Sequence, residues 1–152
     1  MSMISDLGKN LENLPNVLID FEEILIGYEN NIQVKGKTLE MALKEQASWY
    51  SFYNQNRLEL NTIISYLESK LKRIKAKFYI QYNENYNPKL GERAIEKYID
   101  SEQDVQHMQD LILECQNLLD KYDMILDAFN RRGFVLNNIT ACRVNEVHES
   151  TL

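Results

Sequence analysis

Between Thr38 and Tyr82 the chain runs 45 residues without a glycine or a proline. Within that stretch Leu39, Leu43, Gln46, Tyr50, Tyr53, Arg57, Leu60, Ile64, Leu67, Leu71, Ile74 and Phe78 follow one another in alternating steps of three and four. Only an α-helix returns side chains to one face at that mean spacing. One continuous helix is therefore predicted, with Thr38 as its cap. At 1.5 Å per residue it spans about 67 Å. That is too long for one small globular core and natural for a coiled-coil-like seam or an oligomer. Gln46 and Arg57 are polar positions in the seam; they either set register or mark weak spots in the packing.

The rest of the chain is compatible with an all-α fold. Its 152 residues are the size of a single domain. Five glycines and two prolines compare with about 11 and 8 at average usage, which argues against sandwiches, barrels and other turn-rich β folds. Ahead of the long segment, Leu14, Leu18, Phe21, Leu25, Tyr28 and Ile32 predict a helix over about 16–33, capped by Asn16 and weakened by Gly27. Val34-Lys35-Gly36-Lys37 should break it. After the long segment, Asn83–Gly91 reads as a loop. Val105, Met108, Ile112, Cys115, Leu119, Tyr122, Leu126 and Phe129 then predict a third helix to about 131, with Leu111, Leu118 and Ile125 widening its apolar stripe. Ser101 with Asp104 resembles a capping box where this helix restarts. Arg131-Arg132-Gly133 has the form of a helix stop. In the tail, Val135, Ile139, Cys142 and Val147 predict a short further helix. Three segments result: 1–36, 37–82 and 83–152.

No signature of catalysis is present. The chain lacks a phosphate loop, a Gly-x-Gly-x-x-Gly turn and a His-Glu-x-x-His helix. Asp104-x-x-His107 has the spacing of half a di-iron site, but His148 follows no carboxylate at that interval. Asp100, Glu102 and Asp104 mimic the start of a calcium loop without its glycine or closing glutamate. No catalytic residue, metal ligand or cofactor is assigned. Cys115 reads as a small core residue, and two cysteines fit a reducing cytosol. The N-terminus lacks the form of a signal peptide, and the longest aliphatic runs are three residues, far short of a membrane span.

Charge is distributed unevenly. The chain carries a net −6, yet residues 70–77 read Lys-Leu-Lys-Arg-Ile-Lys-Ala-Lys, five cations without an acid. The remainder has 12 basic against 23 acidic residues, and residues 84–127 alone carry 11 acids against four bases. Lys70, Arg73 and Lys77 share one helical face, Lys72 and Lys75 flank it, and Leu71, Ile74 and Phe78 lie opposite. Tyr79, Tyr82 and Tyr86 follow. Cations beside aromatic faces are what a single-stranded nucleic acid requires: phosphate neutralisation and base stacking. A charge run on a helix is more commonly a solvated face, and the absence of interleaved acids is what sets this one apart.

The order of these features resembles the UvsY family of phage recombination mediators. The resemblance rests on an aromatic cluster, Trp49-Tyr50-Ser51-Phe52-Tyr53, and on a Lys-Ala-basic element, Lys75-Ala76-Lys77-Phe78-Tyr79. It rests also on a Leu-Asp-rich helix containing Leu119-Asp120 and Leu126-Asp127-Ala128, and on a closing Arg132-Gly133-Phe134-Val135-Leu136 with Ile139. It covers about residues 37–148; residues 1–36 match poorly. It implies an all-helical, oligomeric bundle, ring-like and larger than a dimer, that binds single-stranded DNA. It further implies a role in loading a RecA-like recombinase onto strands coated by single-strand DNA-binding protein. The resemblance gives DNA contact to Lys75 and Lys77; local charge adds Lys70, Lys72 and Arg73, with Tyr79 as a stacking face. It gives self-association to the C-terminal part, hence to Leu119, Tyr122, Leu126, Phe129, Phe134 and Ile139. Lys77 stands where the family has Arg, which keeps the charge without the planar stacking group. The loop after the long helix is Asn-rich here and Gly-rich in the family. The expected location is cytoplasmic, that of the host cell if a phage encodes the chain. The alternative is a structural coiled-coil adaptor whose basic patch meets an acidic partner and binds no nucleic acid.

Overall fold

A computed structural model describes residues 11–85 and 90–145. Tyr86, Val147 and His148 lie outside them. A single 3-10 turn, Leu11–Asn13, leads into α1 (Leu14–Ile26), followed by α2 (Tyr28–Ile32), α3 (Leu39–Asn85), α4 (Glu92–Ser101) and α5 (Gln103–Val144). Among the described residues there is no strand. The all-α expectation is met. None of the described helices is long and apolar enough to cross a membrane.

The start of α3 follows from its sequence. Lys37 N–H donates to the Val34 carbonyl at 3.1 Å, with Gly36 at φ +79 in the third turn position that a type II turn reserves for glycine. Thr38 Oγ1 then accepts from Met41 N–H at 3.2 Å, the expected N-cap. The first helix starts two residues before the predicted 16. Pro15 occupies its first turn, and Asn16 Nδ2 donates to the Asn13 side chain instead of capping. Gly27 interrupts it, at φ −73 and ψ −12, but remains in the right-handed region.

The chain forms two compact units. The first gathers residues up to Glu59 with those from Leu118 onward. Leu14, Val17, Leu18 and Phe21 of α1 are buried at helical spacing, as are Ala42 and Tyr53 of α3. Tyr122, Ile125, Leu126, Phe129 and Leu136 of α5 complete this core. The Phe21 and Tyr122 rings meet edge-on at 6.0 Å, and Tyr53 stacks on Phe129 at 5.3 Å. Both buried phenols have partners: Tyr122 donates to the Phe21 carbonyl at 2.9 Å, and Asn31 donates to the Tyr53 hydroxyl at 3.0 Å. The two polar seam residues make specific bonds. Gln46 donates to the Phe129 carbonyl and accepts from Arg132; Arg57 pairs with Asp123.

The predicted stop at Arg131-Arg132-Gly133 does not occur, because α5 continues to Val144. Arg132 points inward and is 6% exposed. Its guanidinium donates to the carbonyls of Ile32 at 2.9 Å and Ala42 at 3.2 Å and to Gln46 Oε1 at 2.6 Å. Burial pulls it down from its ordinary pKa, against the opposing pull of Glu45. Gly133 is a close-approach glycine: a Cβ there would lie 3.1 Å from Gln46 Nε2. Val135, Ile139 and Cys142 accordingly sit on α5 itself.

The second unit spans Leu60–Asn117. Ile95 and Ile99 of α4 and Val105 of α5 form its buried cluster, against which Leu71, Ile74, Phe78, Tyr82 and Leu90 pack. The predicted loop begins later than Asn83, since α3 continues to Asn85. The restart near Ser101 occurs, without a capping box. Glu102 turns extended at φ −64 and ψ 134, Ser101 Oγ donates back to the Tyr98 carbonyl, and the Tyr82 hydroxyl donates to Glu102. Cys115 is fully buried, and desolvation pushes its thiol up to about 11.

A candidate nucleic-acid interface on α3

Helix α3 presents its basic run from the second unit because the opposite face is consumed by packing. Leu71, Ile74 and Phe78 lie on the Ile95–Ile99–Val105 cluster, so cations at the intervening positions have nowhere to go but outward. Lys72, Arg73 and Lys77 are exposed and meet no carboxylate among the described residues. Lys70 is half-buried, with its ammonium 5.2 Å from the centre of the Tyr66 ring. A cation over an aromatic face is attracted by the ring quadrupole. Tyr79 is 38% exposed, enough to offer one face of its ring.

Lys75 is placed differently. Its ammonium pairs with Asp100 of α4 at 2.8 Å. The two flank a shallow groove of about 390 Å³, lined also by Ala76, Tyr79, Glu96 and Ile99. Tyr66 and Glu96 were not singled out by the sequence, and Asp100 was considered only as part of a calcium-loop mimic. Tyr66 lies four residues before Lys70 and is recoverable from helical spacing alone. Asp100 and Glu96 are not, since their position follows from α4 folding back on α3.

The six expected oligomer contacts divide in two. Tyr122, Leu126 and Phe129 are enclosed within one chain and serve the core of the first unit. Leu119 is half-buried, Ile139 is partly exposed and Phe134 is 70% exposed. Val135 and Val144 are exposed on the same stretch of α5. Of the groups considered as metal ligands, Asp104 and His107 are exposed; among the described residues no three His, Cys, Asp or Glu gather.

A sequence family described as "Recombination, repair and ssDNA binding protein UvsY" matches residues 28–147. No curated protein matches by sequence. Two crystal structures of the bacteriophage T4 recombination mediator protein UvsY, in different lattice types, are similar in fold. One aligns with a TM-score of 0.70 at 17% identity, over 84% of this chain and 98% of the other. The second gives 0.69 at 16%, over 84% and 97%. The family match leaves α1 outside and includes the whole basic run.

Proposed function

The chain belongs to the UvsY family, and from that premise we propose that this recombination mediator binds single-stranded DNA through α3 without catalysing a reaction. The observation that carries the reading is the outward basic face: Lys72, Arg73 and Lys77 exposed, Lys70 beside them, and Tyr79 at its end. Phosphates neutralised by the cations and a base stacked on the phenol ring are the two terms of single-strand binding. Lys75 contributes once its pair with Asp100 opens.

The partners follow from the same reading: a RecA-like recombinase, loaded in the host cytoplasm onto strands coated by single-strand DNA-binding protein. The acidic α4 and α5 offer a basic partner protein, or the basic run of a neighbouring protomer, a surface of opposite charge. Self-association is assigned to the exposed apolar side chains of α5, Phe134 and Ile139 with Leu119. Tyr122, Leu126 and Phe129, enclosed within one chain, are read instead as core of the first unit.

The test is fluorescence anisotropy of a labelled poly-dT strand from 50 to 200 mM salt, with wild type and Arg73→Ala/Lys77→Ala. Salt-sensitive binding is expected. The double variant should weaken it and flatten the slope by about 1.4 per engaged protomer, at about 0.7 per cation lost, with helicity and oligomer size unchanged. Absence of wild-type binding at 50 mM salt would leave the structural adaptor as the better reading.

A further inference from the structure

A carboxylate already occupies the place beside Lys75 where a phosphate would sit. Asp100 lies 2.8 Å from the Lys75 ammonium. Glu96, one turn earlier on the same face of α4, lines the same groove. One carboxylate therefore pairs with Lys75 and a second lines its groove, while Lys72, Arg73 and Lys77 meet none among the described residues. Ala76, Ile99 and Tyr79 give the groove lining its apolar and aromatic part.

We propose that Asp100 is a built-in competitor for single-stranded DNA: it withholds Lys75 from the phosphates, and so sets how strongly each protomer grips the strand. The proposal rests on the reading of α3 as the strand-binding face. An ion pair between partly exposed groups is weak, so the competition it offers is modest. The carboxylates repel a phosphodiester entering the groove itself. The backbone is kept on the Lys72–Arg73–Lys77 side, and a base, not a phosphate, faces Tyr79 and Ile99. The grip of one protomer is lowered by this competition. A strand held by several protomers remains bound, while one held by a single protomer is released.

The experiment measures anisotropy of labelled poly-dT at 50–200 mM salt with full-length chains. The variants are Asp100→Asn, Lys75→Ala, their combination, and Asp110→Asn as the same charge change at an exposed position on α5. Asp100→Asn should bind about two- to fivefold tighter per engaged protomer, the range of a weak ion pair. Its salt slope should steepen by about 0.7 per engaged protomer as one more cation reaches phosphate. Both gains should vanish in the Lys75→Ala background. The competitor role is overturned if Asp100→Asn behaves as Asp110→Asn does, or if its gain survives without Lys75. Wild-type binding that depends on Arg73 and Lys77 but ignores Asp100 keeps the interface and rejects the competitor. Binding by Asp100→Asn alone supports it, and binding by neither chain rejects both.

Discussion

A methyl group at Gly133 would stand 3.1 Å from Gln46 Nε2, closer than ordinary contact. The amide cannot simply swing aside, since it bonds the Phe129 carbonyl at one end and Arg132 at the other. Alanine in mid-helix would otherwise gain about 1 kcal/mol over glycine. The two effects oppose each other, and the loss of two partly buried hydrogen bonds, about 1 kcal/mol each, is the larger. Gly133→Ala should therefore lower the thermal midpoint in wild type and raise it in a Gln46→Ala background, a sign reversal read by melting the four chains of the cycle. A second prediction concerns titration. Desolvation lifts the Tyr53 and Tyr122 phenols above their ordinary value of 10.0 and the Cys115 thiol from 9.0 to about 11. All three are neutral in the fold and lose protons more readily when unfolded. Above pH 9 the unfolded chain binds fewer protons than the native one, so stability falls as pH rises, first through the thiol and above pH 10 through the phenols. Urea unfolding should give constant stability from these groups at pH 7–8, a decline of roughly 1 kcal/mol per pH unit per group above their unfolded values, and a shallower decline in Tyr122→Phe.

Helix α1 lies outside the family match, which begins at residue 28, yet it supplies four buried side chains. Phe21, 1% exposed, meets the Tyr122 ring and its carbonyl receives the Tyr122 hydroxyl. Phe21→Ala should cost about 3–5 kcal/mol, as for other fully buried phenylalanines, measured by urea denaturation. A change under 1 kcal/mol would mean that α1 is an appendage. The elements themselves were readable where one periodicity runs without competition, as in α3 from its Thr38 cap and along the buried face of α5. The reading failed where one residue type serves two purposes. Gly133 has the form of a stop, but its missing side chain makes room for Gln46. Arg132 beside it passes for a surface cation, yet it satisfies the carbonyls of Ile32 and Ala42. Its place in the apolar repeat, three residues after Phe129 and four before Leu136, was the available sign. The basic face was readable because neighbours on one helix have fixed spacing. Its acidic counterweight was not, because Asp100 reaches Lys75 only through the docking of α4 on α3, and sequence spacing does not encode that.

At the scale of the whole molecule, a chain of net −6 can bind a polyanion only locally and weakly. With Lys75 held by Asp100, four cations of the basic run remain for phosphate. At about 0.7 per charge the slope of one protomer is roughly −2.8, and affinity falls about fiftyfold between 50 and 200 mM salt. On the proposed function, binding at physiological salt would therefore require several protomers on one strand, whose contacts multiply through effective concentration. If the exposed apolar residues of α5 carry self-association as proposed, they are the place to break that arrangement without touching α3. Phe134 and Ile139 both reach solvent, so charging them leaves the core of the first unit intact, whereas Phe129→Asp would bury a charge and unfold it. Phe134→Asp/Ile139→Asp should sediment as a monomer with unchanged helicity. Its affinity for poly-dT should drop 10²-fold or more, with a salt slope near −2.8. The wild-type slope should be steeper, in proportion to the number of protomers engaged. Equal slopes in a variant shown to be monomeric would mean that each strand is held by one protomer in both chains, and the apolar face of α5 would then have no part in binding.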